Sequence, residues 1–196
     1  MSTDPRMLLV LGAAKQEQPA TAYALMRELA GWGVQDWASV NPGSIYAAVK
    51  ALLKDGLLVE TSQPAADGRS HRNSVKYRVT DEGDSAFDDL LRDALGDVTP
   101  YRTSPFMAAL CFLASLPRPE VVSILEERLS RLDDALHHLR STEEQTVLDP
   151  EKPPHSVEFV KLGGQQIRGE LVFTEGLISR IRAGRYLFVG DEVEEV

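Results

Sequence analysis

The sequence predicts a mainly α-helical fold with one small β-hairpin, arranged as two successive parts. Three observations predict it. Apolar residues recur at the helical spacing i, i+3, i+4, i+7 through most of the chain. Apolar–polar alternation of the strand kind is confined to two short stretches, which flank a polar segment at 63–74. A break at 96–105, carrying Gly96, Pro100 and Pro105, separates the part with the hairpin from an all-helical part. The expected domains are therefore 1–96 and 97–196.

In the first part, 6–16 reads as a helix with Leu8, Leu9, Leu11 and Gly12 crowding one side. A second helix, 20–31, places Ala22, Leu25, Met26 and Leu29 on one face and stops at Gly31 and Gly33. A loop with Trp37 follows. The third helix has its start written into the chain: Asn41 is a favoured N-cap, and Pro42 suits the first helical position because its missing N–H would be unpaired there anyway. Ile45, Val49, Leu52 and Leu53 form its apolar face, Ala47, Lys50 and Lys54 the opposite one, and Asp55-Gly56 ends it. Residues 57–61 and 75–79 read as paired strands. Thr80 caps a fourth helix, whose first-turn acids Asp81 and Glu82 suit the positive end of the helix dipole.

In the second part, 106–116 reads as a short apolar helix. Pro119 opens a longer one in which Leu125, Leu129, Leu132, Leu136 and Leu139 alternate four and three apart, as in a coiled-coil seam. Residues 143–154 read as a polar, Pro-rich loop. A last long helix, about 156–183, carries Val160, Ile167, Leu171, Ile178 and Ile181 on one stripe, with Gly163-Gly164 marking close helix packing. The tail 190–196 is acidic.

Composition narrows the function classes. The longest apolar run, 106–116, is too short to span a bilayer, and 1–6 lacks the basic and apolar pattern of a signal peptide, so a cytoplasmic location is expected. Cys111, the only cysteine, excludes an internal disulfide and is expected in the core. His137 and His138 are adjacent and face different directions on a helix, so they form no i, i+4 metal pair. There is no phosphate-binding Gly-rich loop and no nucleophile paired with a base. No enzyme activity, metal or cofactor is expected. The net charge of -9 is unevenly placed: 42–79 holds six basic residues against three acidic ones, a local +3, which leaves −12 for the rest. Over distances beyond a Debye length of about 8 Å, remote acids are largely screened, so local sign governs docking.

The major groove of duplex DNA admits a helix with an apolar back and a low, basic front. The third helix has both: Ala47 and Ala51 keep its front low, Ser44, Lys50 and Lys54 supply donors, and the Tyr46 hydroxyl stands at the flank. The hairpin adds Arg69, His71 and Arg72 at its tip and Lys76 on the returning strand, and arginine entering a narrow minor groove is a recurrent device. The order helix, helix, basic-faced helix, basic hairpin describes a winged helix-turn-helix that binds duplex DNA. Taken singly, an amphipathic surface helix or a basic loop is only a solvated face.

The run Ser44-Ile45-Tyr46-Ala47-Ala48-Val49, then Leu52-Leu53 and Asp55-Gly56-Leu57-Leu58, resembles the recognition helix of PadR-like transcriptional regulators. Lys76-Tyr77-Arg78-Val79-Thr80-Asp81-Glu82-Gly83 is similar to a second signature of that family, and Ala22-Tyr23-Ala24-Leu25 to its second-helix motif. The resemblance covers 6–95, and the helical second half resembles the family's longer members. It implies a homodimeric repressor whose last long helix packs against its twin, here through Val160, Ile167, Leu171, Ile178 and Ile181, on a roughly palindromic operator. Some members bind aromatic small molecules, and Trp32, Trp37, Tyr101, Phe106 and Phe112 are the residues that would line such an effector pocket. The chain departs from the pattern at Ala47 and Val49, where the family usually has proline and leucine, and in its longer 63–74 segment. Two alternatives stand beside this reading: long helices that pack only within one chain, and a winged helix that binds protein rather than DNA.

Overall fold

The computed structural model describes residues 4–61 and 75–191. Its chain divides into two compact units, Met1–Ala94 with Met107–Phe112, and Leu95–Phe106 with Leu113–Val196. The first unit thus ends two residues before the break read from the sequence and takes back a short later segment.

The first unit is built around α1 (Pro5–Glu17). Asp4 caps it, accepting from the Arg6 N–H at 3.0 Å, and every residue from Leu8 to Ala14 is buried. A helix that is apolar all round belongs at the centre of a domain. Helix α2 (Ala22–Gly31) is capped by Thr21, whose Oγ1 accepts from Ala24 N–H at 3.1 Å. The loop expected around Trp37 contains a further helix, α3 (Val34–Ala38), entered at Gly33 and left at Ser39, both with positive φ. Five residues are too few for apolar periodicity to announce a helix. Helix α4 (Pro42–Lys54) starts where the Asn41-Pro42 pair requires, with Asn41 Oδ1 accepting from Ser44 N–H at 2.9 Å. Strands β1 (Leu58–Thr61) and β2 (Lys76–Val79) pair antiparallel, Leu58 opposite Val79 and Thr61 opposite Lys76. The hairpin is tied to the start of α2 by Ala20, which exchanges two backbone hydrogen bonds with Tyr77, at 3.1 and 2.8 Å.

Helix α5 (Asp81–Gly96) follows, and the glycine of its Thr80-Asp81-Glu82-Gly83 start has a steric cause. A Cβ at Gly83 would lie 2.1 Å from the Leu57 carbonyl oxygen. The Thr80 hydroxyl donates to the Gly56 carbonyl at 2.8 Å and accepts from Gly83 N–H at 3.0 Å, which binds the end of α4 to the start of α5. Gly12 has a similar cause: its missing Cβ leaves room for the Phe112 ring, 2.3 Å from where that carbon would stand. Phe112 also meets Trp32 and Phe87 edge-on, at 5.6 and 5.4 Å between ring centroids. This nest is what returns 107–112 to the first unit.

The expected 106–116 helix is shorter and earlier. Helix α6 (Ser104–Leu110) is followed by a 3-10 turn at Leu113–Ser115. Ala108, Ala109 and Phe112 are buried and Cys111 is exposed, so the thiol is not core: helical spacing turns it away from its buried neighbours.

In the second unit, α7 (Arg118–Leu148) and α8 (Ser156–Arg182) pack along their lengths. They run antiparallel: Arg118 donates to the Ile181 carbonyl near one end, and Leu139 shares a core with Val160 near the other. Helix α7 continues through 143–148, which the sequence reading assigned to a loop. Glu143, Glu144 and Gln145 are polar but are good helix formers, and the Thr142 and Thr146 hydroxyls donate to carbonyls four residues back, at 2.9 and 2.7 Å. The helix ends at Leu148, just ahead of Pro150. Gly163 does mark close packing, but of a ring: a Cβ there would lie 2.5 Å from the Tyr101 hydroxyl. Buried Arg128 lies over the Phe106 ring at 3.8 Å and is paired with Glu170 and the Asp97 carbonyl. Burial holds its pKa below the ordinary arginine value.

Candidate nucleic-acid interface

Helix α4 is divided cleanly. Ile45, Ala48, Val49 and Leu52 are buried against α1 and α2, while Tyr46, Ala47, Lys50 and Lys54 are exposed. The buried spacing is the i, i+3, i+4, i+7 pattern, and the exposed set is its complement. Lys50 and Lys54 form no ion pair among the described residues, and neither do Lys76 and Arg78 on β2. Cations left unpaired are free to meet an external anion. Ser44 is half-buried and has a prior commitment: its hydroxyl donates to the Asn41 carbonyl at 2.7 Å, so towards a partner it can act only as an acceptor.

A cleft of about 190 Å³ opens beside this face, lined by Thr21, which caps α2, Tyr23 of α2, Tyr46 and Lys50 of α4, and Tyr77 of β2. Tyr23 is 60% exposed although it is a large ring, so its contact surface is available. Burial, then Glu60, then Tyr46 raise the Tyr77 pKa above the ordinary tyrosine value. Sequence reading nominated neither Tyr23 nor Tyr77 for the site. Both stand in motifs it had noticed, but only the Ala20–Tyr77 pairing brings the two tyrosines to one cleft. Lys76 is half-buried opposite Thr61 at the end of the paired region. Arg69, His71 and Arg72 lie outside the described residues.

The five ring-bearing residues nominated for an effector divide between the units. In the first, Trp32 Nε1–H donates to Glu28 at 3.1 Å, Trp37 Nε1–H donates to the Trp32 carbonyl at 3.1 Å, and Phe112 is buried. In the second, Tyr101 stacks on Phe159 with centroids 4.5 Å apart, and Phe106 meets both Arg128 and Phe173. The stripe nominated for dimerisation has an occupant already. Val160, Ile167, Ile178 and Ile181 are buried and Leu171 is partly buried within the chain, and Val160, Ile167 and Leu171 pack with Leu132, Leu136 and Leu139 of α7. What α8 leaves outside is a different apolar set: Val172 (70% exposed), and on another flank Phe159 (63%), Leu162 (57%) and Phe173 (43%).

Among the described residues no cluster of three His, Cys, Asp or Glu side chains is placed to hold a metal, and no helix is long and apolar enough to cross a membrane.

Residues 10–89 match the model of the transcriptional regulator PadR-like family. No curated protein matches the chain. Among solved structures, Bacillus subtilis PadR in complex with operator DNA is 18% identical, with 89% of this chain and 98% of that one covered and a TM-score of 0.38. The same protein in complex with p-coumaric acid is 17% identical, over 91% and 99%, with a TM-score of 0.36. A PadR-like transcriptional regulator from Bacillus cereus is 14% identical, over 91% and 99%, also with a TM-score of 0.36.

Proposed function

From the premise that residues 10–89 belong to the transcriptional regulator PadR-like family, we propose that this chain is a homodimeric repressor that seats α4 in the major groove of an operator. One observation carries the reading: α4 has a buried apolar back and a low outward face of Ala47, Lys50 and Lys54, whose cations have no ion-pair partner among the described residues. Tyr46, Tyr23 and Tyr77 flank that face with hydroxyls suited to phosphate oxygens. The basic residues of 63–74, Arg69, His71 and Arg72, contribute the minor-groove contacts. Two copies joined through the outward apolar face of α8 present two such helices, and half-sites are then spaced about one helical turn, roughly 10 bp, apart. The reading includes release of the operator by a small aromatic effector, for which the half-buried rings of Trp32 and Trp37 offer stacking surface.

The test is affinity for the promoter DNA as a function of salt. Lys50→Ala and Arg69→Ala should each weaken binding and lower the slope of log affinity against log salt by about 0.9, the contribution of one neutralised phosphate. Unchanged affinity and slope in both variants would refute these contacts. A protein with no salt-sensitive DNA binding at all, yet in stable complex with a second protein, would overturn the repressor reading.

A further inference from the structure

Adjacent glycines at 163 and 164 in the middle of α8 pose a question, because each costs a helix up to about 1 kcal/mol relative to alanine. Gly163 is accounted for by the Tyr101 ring. Gly164 is buried, yet a Cβ placed there would meet nothing nearer than the Arg168 guanidinium at 3.9 Å. No neighbouring atom forbids a side chain. What lies in front of Gly164 is a cleft of about 170 Å³ between α7 and α8.

Its floor is aliphatic, made by Leu136 and Leu139 of α7 and Val160 of α8, all of them buried members of the α7–α8 core. Its rim is cationic. Arg140, Lys161 and Arg168 stand around the opening against one acid, Glu143. Lys161 is held by Glu158 at 2.7 Å, but Arg140 and Arg168 have no hydrogen-bond or ion-pair partner among the described residues. An apolar floor under two unengaged guanidiniums is a site for an amphiphilic anion, and the planar guanidinium fork matches a carboxylate. The volume is close to that of an engineered apolar cavity, about 150 Å³, that accommodates benzene. The floor side chains are aliphatic and little of them is accessible, so the occupant the cleft fits is a short, narrow aliphatic chain with a charged end at the rim.

We propose that the cleft between α7 and α8 binds a short-chain aliphatic carboxylate, its chain over Leu136, Leu139 and Val160 and its carboxylate between Arg140 and Arg168, and that Gly164 keeps the space open. By helical periodicity the rim residues Lys161 and Arg168 lie on one flank of α8 together with exposed Val172, and the larger apolar residues Phe159, Leu162 and Phe173 on the other. A second copy on the outward apolar face therefore leaves the cleft accessible. The site does not depend on the DNA-binding reading, because its test reads ligand binding alone.

The experiment is an NMR shift titration of the full-length protein with sodium hexanoate, alongside acetate, which has the charge without the chain, and 1-hexanol, which has the chain without the charge. Hexanoate should saturate with a Kd on the order of 1 mM or tighter, and each comparator should bind at least about tenfold more weakly. Arg168→Gln and Arg140→Gln should each weaken hexanoate by about tenfold. Gly164→Leu should abolish saturable binding while melting no lower than the wild type, because leucine fills the cleft and favours the helix. The proposal is overturned if Gly164→Leu binds hexanoate as the wild type does, or if acetate binds as tightly as hexanoate.

Discussion

Helices α4 and α8 each turn an apolar face inward, and they differ in what they leave outside. On α4 the set Ile45, Ala48, Val49 and Leu52 is buried, and the exposed face keeps Ala47, Lys50 and Lys54 with one ring, Tyr46, that carries a polar hydroxyl. On α8 the inward stripe is complete from Val160 to Ile181, and a second apolar set, Phe159, Leu162 and Phe173, remains at the surface. Large exposed rings grouped on one helix face mark a surface built for another apolar surface. An outward face of alanine and lysine suits a polar, anionic one. On the proposed reading the two helices separate two tasks along the chain, α4 meeting a charged partner and α8 an apolar one.

The largest effect should come from treating the inward stripe of α8 as core. Ile167→Ala should lower folding stability by about 2–5 kcal/mol, the usual cost of emptying a packed position, seen as a lower midpoint in chemical denaturation. A loss below about 1 kcal/mol, with a change in association state instead, would return Ile167 to an interface and erase the difference between the two stripes. Next in size is the outward face. Leu162→Asp, at an exposed position of that face, should leave the fold intact and weaken self-association by about a hundredfold, since a few buried apolar anchors dominate interfaces. Sedimentation of wild type and variant measures it, and identical behaviour would remove this face from the dimer.

How much of this was legible beforehand follows from where the information lies. Helix α4 was readable because its limits and its face are local: Asn41 and Pro42 start it, Gly56 follows its end, and the apolar spacing is its own. The stripe Val160–Ile181 was equally visible, but its covering partner was not. That depends on Leu132, Leu136 and Leu139 of the preceding helix lying alongside in antiparallel register. Tyr23 and Tyr77 escaped notice for the same reason, being brought together by a backbone pairing between distant segments. The 143–148 turns of α7 were hidden by composition, because a helix surface made of glutamate, threonine and glutamine reads as a polar loop unless propensity is weighed with polarity. Gly12 and Gly83 show the limit most plainly. Each is required by an atom far along the chain or across a turn, a ring at 112 and a carbonyl at 57.

The smallest expected effect concerns how the end of α8 is fastened. Arg118 at the start of α7 donates to the Ile181 and Tyr186 carbonyls at 2.6 and 2.8 Å and pairs with Asp191 at 2.5 Å. The hydrogen bond from Arg118, then that from the Phe188 N–H, hold the Asp191 carboxyl below the usual carboxylate range. A depressed carboxyl pKa contributes stability that is present above its unfolded value and is lost as pH falls through the folded one. Asp191→Asn should therefore melt slightly below the wild type at neutral pH, with the gap closing as pH falls below the ordinary aspartate range. A gap that stays constant on acidification would show that the charge pair does not contribute.

The proposed repressor would meet DNA through α4 as one of a symmetric pair. Footprinting of the purified protein on the DNA upstream of its own gene tests that directly. Two protected stretches related by a pseudo-palindrome, with centres about one helical turn apart, are the expected result, and Lys50→Ala should thin both equally. Absence of protection, or a single protected stretch indifferent to Lys50, would contradict it.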